Sequence, residues 1–384
     1  MSTLRTRLAL LGLGLAVIAA CAAPALPSLE DRLVDPRLSR APMPEGAAAL
    51  ASALGLETRH HVNVSGLRLA YSILEPGEYG FDAGVQRDAE TRVRFRAGPR
   101  QLAQAPAGTA LLLHGWGMDR RSLYPWALTL AEAGHRVVLV DLRGHGESGD
   151  APPGYGRREA EDLVELLAAL EARSALVGPL HLFGVSYGGA TAAHLAAALP
   201  ERFASLTLLE PFANAADAVR DMVPALLESP DPRLWQRATR ALLRLRFSPE
   251  RVEAAIAGSS ARLGIDLDEV ELAPLLATTS ACTLLIHGGR DRHVGVQHGR
   301  RLAAGVAALQ YRELPQEDHI TLPLRIDWLG APVAYWMRAV AASPAESCPR
   351  LQLAADPLPT DVTPRPGRLD LIEFALLAGA AAPG

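Results

Sequence analysis

The sequence predicts an α/β protein, a mostly parallel sheet with helices on both faces and a small helical cap inserted late in the chain. Three observations predict it. Apolar runs of strand length, such as TALLLHGWG (109–117), HRVVLVDLRGHG (135–146) and LHLFGVS (180–186), alternate with amphipathic stretches of helix length. Strands that are apolar throughout are buried on both faces, and crossover helices between them make the sheet parallel. The alternation stops between about Phe212 and Thr279, where the chain reads as helix punctuated by Pro224, Pro230, Pro232, Pro249 and Pro274, and then resumes. At HLFGVSYGGATAA (181–193) a strand passes into a helix through Ser186, set between Gly184 and Gly188 in a turn that leaves no room for a side chain at either flank.

Taken in order, the chain opens with MSTLRTRLALLGLGLAVIAAC, in which Arg5 and Arg7 precede an apolar core from Leu8 to Ala20. That core is short for a membrane span and reads as an export signal over residues 1–21. Ile18-Ala19-Ala20-Cys21 resembles the lipobox of bacterial lipoproteins, so Cys21 is expected to become the lipid-bearing first residue of the mature chain. The alternatives are an ordinary signal cut near Ala23 or an uncleaved anchor. Ala22 rather than Asp follows the cysteine, which in a Gram-negative host resembles the signal for the outer membrane. Residues 22–58, rich in Ala and Pro, read as a tether with room for one short helix.

The folded domain is expected over 59–341, with the cap at about 212–279. HHVNVSGLRLAYSIL (60–74) and TRVRFRAG (91–98) read as strands of a partly exposed antiparallel edge. LYPWALTLAEAG (123–134) and REAEDLVELLAALEA (158–172) read as crossover helices, the second with Leu163, Leu166, Leu167 and Leu170 on one face. ASLTLLEP (204–211) is a further strand, and Ser248-Pro249 starts a cap helix, Ser as cap and Pro at the first helical position. The sheet resumes with CTLLIHGGRD (282–291) and LQYRELP (309–315). The tail, 342–384, is rich in Pro, and RLDLIEFALLAG (368–379) reads as one last helix. Cys282, at the head of an apolar strand, reads as a buried free thiol in preference to a disulfide with Cys348.

Composition narrows the function. Hydrophobic residues make up 49% and charged residues 21% of 384, net charge is -4, and nothing points to a nucleic-acid partner. All 38 basic residues are Arg. Without lysine there is no Schiff base, no pyridoxal-phosphate anchor, no Walker A cation and no Ser-Lys dyad, so a serine nucleophile here needs another base, for which His is the usual choice. No His-Glu-x-x-His, no Cys-x-x-Cys and no dinucleotide fingerprint occurs, and neither a metal nor a cofactor is expected.

From about His60 to Val340 the chain resembles an α/β-hydrolase. HGWG (114–117), DLRGHGES (141–148), GVSYG (184–188), GGRD (288–291) and EDH (317–319) fall in that family's order. The resemblance implies a triad of Ser186 as nucleophile, His319 as base and Asp291 as orienting acid. It also implies an oxyanion hole from the backbone N–H groups of Trp116 and Tyr187, worth roughly 3 kcal/mol each. His114 resembles the family's structural histidine and His145 has a similar turn role, whereas His181, His194 and His287 lie in strand or helix contexts. His293 is a weaker rival base. Glu210, at a position where some relatives carry the acid, competes with Asp291; Asp318 is expected to point elsewhere. Relatives that cleave epoxides or carbon-halogen bonds carry aspartate at the elbow, so Ser186 points to acyl chemistry. The expectation is an exported, lipid-anchored serine hydrolase acting on a small-molecule carboxylic ester or related acyl substrate. Acyl transfer by the same residues, and a non-catalytic lipoprotein of the same fold, are the alternatives. Leu226, Leu227, Leu234, Trp235, Leu242, Leu243, Leu245 and Phe247 give the cap an apolar face, and short-to-medium acyl esters are the expected substrates. Oligomeric state is not legible in the sequence.

Overall fold

Eight strands form the principal sheet: β1 (Arg59–Val62), β2 (Arg68–Leu74), β5 (Gly108–Leu113), β6 (His135–Val140), β7 (Leu180–Val185), β8 (Ser205–Leu209), β9 (Cys282–Gly288) and β10 (Gln310–Leu314). Their order is β1-β2-β6-β5-β7-β8-β9-β10. The β1–β2 and β2–β6 pairs are antiparallel, and every later pair is parallel. The structure, a computed structural model, describes residues 27–40, 46–87, 91–227, 247–343, 347–353 and 369–376. Strands β5, β7, β8 and β9 are buried at every residue, as their unbroken apolar runs require.

Alternate residues of these strands feed two cores. Leu111, Val138, Leu182 and Leu206 pack with the inner faces of helices α4 (Arg157–Ala172) and α5 (Tyr187–Ala198). Leu112, Val137, Phe183 and Leu284 pack instead with Trp126 of α3 (Tyr124–Glu132) and with Trp336 and Met337 of α10 (Ile326–Ala342). This two-fold alternation is the strand period expressed on a sheet covered on both sides. Helix α9 (Val296–Gly305) joins the last two strands.

Between β8 and β9 lie helices α6 (Ala215–Leu227), α7 (Pro249–Leu263) and the short α8 (Ala273–Leu276). Ser248 and Pro249 open α7 as expected. Leu234, Trp235, Leu242, Leu243 and Leu245 lie outside the described residues.

Four expectations need correcting. TRVRFRAG does not join the edge of the principal sheet. It forms β4 (Thr91–Ala97), which pairs with β3 (Asp82–Arg87) in a separate sheet and buries Val93 and Phe95 against the α3 side of the molecule. The last helix of the tail is instead strand β11 (Leu369–Leu376), parallel to β4. A two-stranded ribbon leaves backbone donors and acceptors of β4 open, and pairing with β11 satisfies them, which outweighs a weak local preference for helix. Cys282 is not a free thiol but is bonded to Cys348. The tail returns over β10, where Pro349 O accepts from Trp336 Nε1 at 2.7 Å and Gln310 Nε2 at 2.6 Å, and this docking brings the second cysteine to the head of β9. Within residues 22–58, expected as a tether, α1 (Leu29–Val34) and α2 (Ala47–Ala53) dock on the domain and bury Leu33, Ala47 and Leu50.

Candidate active site

Ser186 occupies the turn between β7 and α5 with φ 53° and ψ -115°. A non-glycine residue adopts that conformation only under constraint, and here the constraint is packing. A Cβ at Gly188 would collide with the backbone of Leu113, and one at Gly184 with the backbone of Gly188. The strain lifts the serine side chain above the C-terminal edge of the sheet, where the loops after β9 and β10 also arrive.

His319, on the loop after β10, joins the other two groups. Its Nε2 lies 3.0 Å from Ser186 Oγ and its Nδ1 lies 2.7 Å from Asp291 Oδ2. The carboxylate accepts at Nδ1–H, which leaves Nε2 as the acceptor for the serine hydroxyl. Asp291 is itself held by the backbone, Oδ1 accepting from His293 N and Val294 N, each at 2.9 Å. Burial opposes its ionisation, yet His319 and His287 beside it hold the carboxyl well below the usual carboxylate range. Asp291 is therefore an anion facing the imidazole.

Glu210, the competing acid, is completely buried at the end of β8 with φ 52°. Its Oε1 accepts from Gly288 N at 3.2 Å, and its Oε2 lies 3.6 Å from His319 Nδ1, beyond hydrogen-bond range. Burial and then the charge of Asp291 push its carboxyl well above the usual range, so it sits there as a neutral acid. Asp318 faces away, its Oδ1 accepting from Ile320 N and Thr321 N to close the turn behind His319. The His293 ring centroid is 5.5 Å from that of His319, on the cavity wall and not bonded to the serine. Glu210, Asp291 and His319 offer donor atoms within 4.8 Å of one another, as a metal site would, but the Asp291–His319 hydrogen bond already uses two of them.

The N–H of Tyr187, first residue of α5, has no acceptor within its helix. Across from it the turn after β5 is set by His114. Nδ1–H donates to Gly115 O at 2.9 Å and Nε2 accepts from Leu142 N at 3.1 Å, while burial pushes the imidazole down to about 4 and keeps it neutral. That tie fixes the backbone leading to Trp116, whose ring meets the Tyr187 ring edge to face at 5.1 Å. The phenol of Tyr187 is anchored in turn, donating to buried Glu159 at 2.8 Å and accepting from Tyr155 N at 3.1 Å.

A cavity of about 360 Å³ opens from Ser186 and His319, walled by Trp116, Phe212, Val219 and Met222, and also by Leu33 and Phe95. The structure thus brings all five predicted site residues of the domain to one place, whereas Cys21 lies outside the described residues. Sequence reasoning missed Leu33, Phe95, Tyr155 and Glu159. Glu159 looked like one more polar residue on an amphipathic helix, and Leu33 and Phe95 come from segments remote in sequence, with no local signal.

The alpha/beta hydrolase fold family matches residues 110–250. A pimeloyl-[acyl-carrier protein] methyl ester esterase from Chromobacterium violaceum is 30% identical over 241 residues, 57% of this chain and 89% of its own. A lipase from Mycobacterium tuberculosis is 41% identical over 130 residues, 33% of this chain and 47% of its own, so the match spans about half of that protein. Among solved structures, an esterase from Pyrococcus furiosus shares the fold with a TM-score of 0.52 and 14% identity over 75% of this chain and 95% of its own. The chain belongs to the α/β hydrolase family and is a hydrolase of the esterase and lipase type.

Proposed function

We propose that the protein is a serine hydrolase that cleaves carboxylic esters through an acyl-enzyme, with Ser186, His319 and Asp291 as its triad. The observation that carries this reading is the continuous bridge from Ser186 Oγ through His319 to Asp291, at 3.0 and 2.7 Å. As Ser186 attacks the carbonyl carbon, His319 Nε2 takes the hydroxyl proton and Asp291 stabilises the imidazolium that results. The oxyanion forms between the N–H groups of Trp116 and Tyr187. Collapse breaks the ester bond, and the proton on Nε2 passes to the departing alkoxide as the alcohol leaves. Water, deprotonated by the same nitrogen, then returns the acid and the free serine. The neutral state of Glu210 supports Asp291 as the acid, since only a carboxylate compensates an imidazolium well.

The apolar cavity supports short-to-medium acyl esters over peptides or long-chain triglycerides. Its size lies at the small end for ligand sites, and each methylene buried in it contributes about 0.8 kcal/mol. The test is a fluorophosphonate probe together with a series of chromogenic esters, beside an amide and a peptide. Labelling at Ser186, loss of both labelling and turnover in Ser186→Ala, and a maximum at butyrate to octanoate are expected. A maximum on amides or on long-chain emulsions would overturn the substrate reading, and full turnover by Ser186→Ala would overturn the mechanism. The export signal and the lipobox-like run support a lipid anchor at Cys21 in a bacterial envelope, the outer membrane if the host is Gram-negative.

A further inference from the structure

The segment before the principal sheet enters the substrate cavity, although nothing in its composition suggests a role there. Helix α1 is fixed at its start by a reciprocal cap, Asp31 N donating to Ser28 Oγ and Ser28 N to Asp31 Oδ2, each at 3.0 Å. From the cap domain, Arg262 on α7 reaches Glu30 at 3.2 Å and Asp31 at 3.0 Å. The next contact is with the wall of the site, where Tyr155 donates its phenol proton to Leu33 O at 2.9 Å, and the Tyr155 ring lies 5.6 Å from that of Trp116. Further along, Asp35 caps a single 3-10 turn (Pro36–Ser39), and Arg37 pairs with Asp150. Ser39 O then lies against Gly117, two residues past Gly115 in the oxyanion turn. Gly117 has φ 69°, and a Cβ there would collide with that carbonyl. The segment is thus tied in turn to the cap, to the 150–155 loop and to the oxyanion turn. Between those ties the Leu33 side chain is 4% exposed and forms part of the cavity wall.

We propose that Ser28–Ser39 is a built part of the substrate site and that Leu33 is a specificity-determining residue, setting the length of ester that the cavity accepts. This rests on the ester-hydrolase reading of Ser186. A side chain held from both ends in the cavity wall cannot swing aside for a longer substrate, so its volume is subtracted from the space that the substrate fills. A larger residue excludes the terminal carbons of a long chain, and a smaller one admits more of them, at about four-fold in kcat/KM per methylene gained or lost from burial.

The experiment measures kcat/KM on the full-length protein for two series of chromogenic or coupled-assay esters, one varied in acyl length from acetate to dodecanoate and one in alcohol length. Leu33→Trp is expected to lower the ratio of decanoate to acetate at least ten-fold, or the corresponding ratio in the alcohol series, and Leu33→Ala to raise that same ratio several-fold. Val64→Ala, a change at a 93% exposed position in the turn between β1 and β2, is expected to leave both profiles as in the wild type. Labelling of Ser186 by a small fluorophosphonate reports an intact site in each variant, and if Leu33→Trp fails to fold, Leu33→Met and Leu33→Ala carry the comparison. Profiles parallel to wild type in both series, with labelling retained, would overturn the role of Leu33 and leave the hydrolase reading standing. A wild type inert toward every ester would overturn both.

Discussion

Two carboxyl groups share the neighbourhood of His319 Nδ1, and their environments drive them apart. Asp291 accepts two backbone N–H bonds and faces two histidines, whereas Glu210 is completely buried with a single backbone donor and an anion next door. The anion is thereby assigned to Asp291. Replacing it by Asn turns a hydrogen-bond acceptor into an amide that can favour the wrong tautomer, and Asp291→Asn is expected to lower kcat/KM by about 10³- to 10⁴-fold. Glu210→Gln replaces one neutral group by another of the same shape, and a change of less than about three-fold is expected. Steady-state kinetics on one ester decides between them, since the reverse ranking would move the acid to the end of β8. A second residue-scale consequence concerns His135 and His181 at the opposite end of the sheet, each 1% exposed with ring centroids 5.1 Å apart. Burial pushes them down to about 4 and about 3 from an ordinary 6.5. Below pH 6.5 the unfolded chain therefore takes up protons that the folded one refuses, so their contribution to stability is full above about 6.5 and is lost progressively toward pH 4. Buried Glu159 and Glu210, pushed up, act in the opposite sense, and comparison with a variant separates the two effects. Between pH 7 and pH 5, His181→Gln is expected to lose about 2 kcal/mol less stability than the wild type, read from urea midpoints at constant m-value. Equal losses in the two proteins would contradict a neutral buried imidazole.

At the scale of elements, the chain after α10 does more than wrap the surface. Residues 347–353 lie along the outer edge of the sheet, with Leu351 2% exposed and its N–H donating to Gln310 Oε1 at 3.0 Å. The disulfide between Cys282 and Cys348 closes a loop over a separation of 66 residues. A loop of that length restricts the unfolded chain, and losing the link costs about 4 kcal/mol on loop-closure entropy alone. Cys348→Ser is expected to lower the unfolding free energy, read from the urea midpoint and m-value, by a comparable amount while leaving kcat/KM at 25 °C within about two-fold, because the bond meets β9 at its start and the active-site loops leave from its other end. An unchanged midpoint, or a large loss of activity without loss of stability, would show that the tail acts otherwise. The elbow illustrates a different economy among elements. Its positive φ is imposed by close packing of β5, β7 and α5, so the strain at Ser186 is held by surrounding burial rather than by the turn itself.

For the molecule as a whole, the described residues hold no helix long and apolar enough to cross a membrane. Mass spectrometry of the mature protein is expected to find a lipid-bearing N-terminus at Cys21, and Cys21→Ser to release the protein from the membrane fraction or block its processing. An unlipidated terminus several residues downstream would contradict the anchor. What the sequence by itself determined follows from local rules. Uninterrupted apolar strands with amphipathic crossovers dictate a parallel sheet, and in such a sheet the strand ends at one edge gather the loops that carry Ser186, Asp291 and His319. Motif order therefore brings these three residues forward as candidates, and the structure places them within hydrogen-bond reach of one another. The identity of the charged acid was decided only in three dimensions, because it depends on which carboxyl collects donors and which is desolvated. The same is true of the Cys282–Cys348 bond, of β11 as a strand and of Leu33 in the cavity wall. Each is a contact between segments far apart in the chain. Local propensity carries no information about such a partner, and the burial and hydrogen bonds gained on docking exceed the small preferences that the isolated segments express.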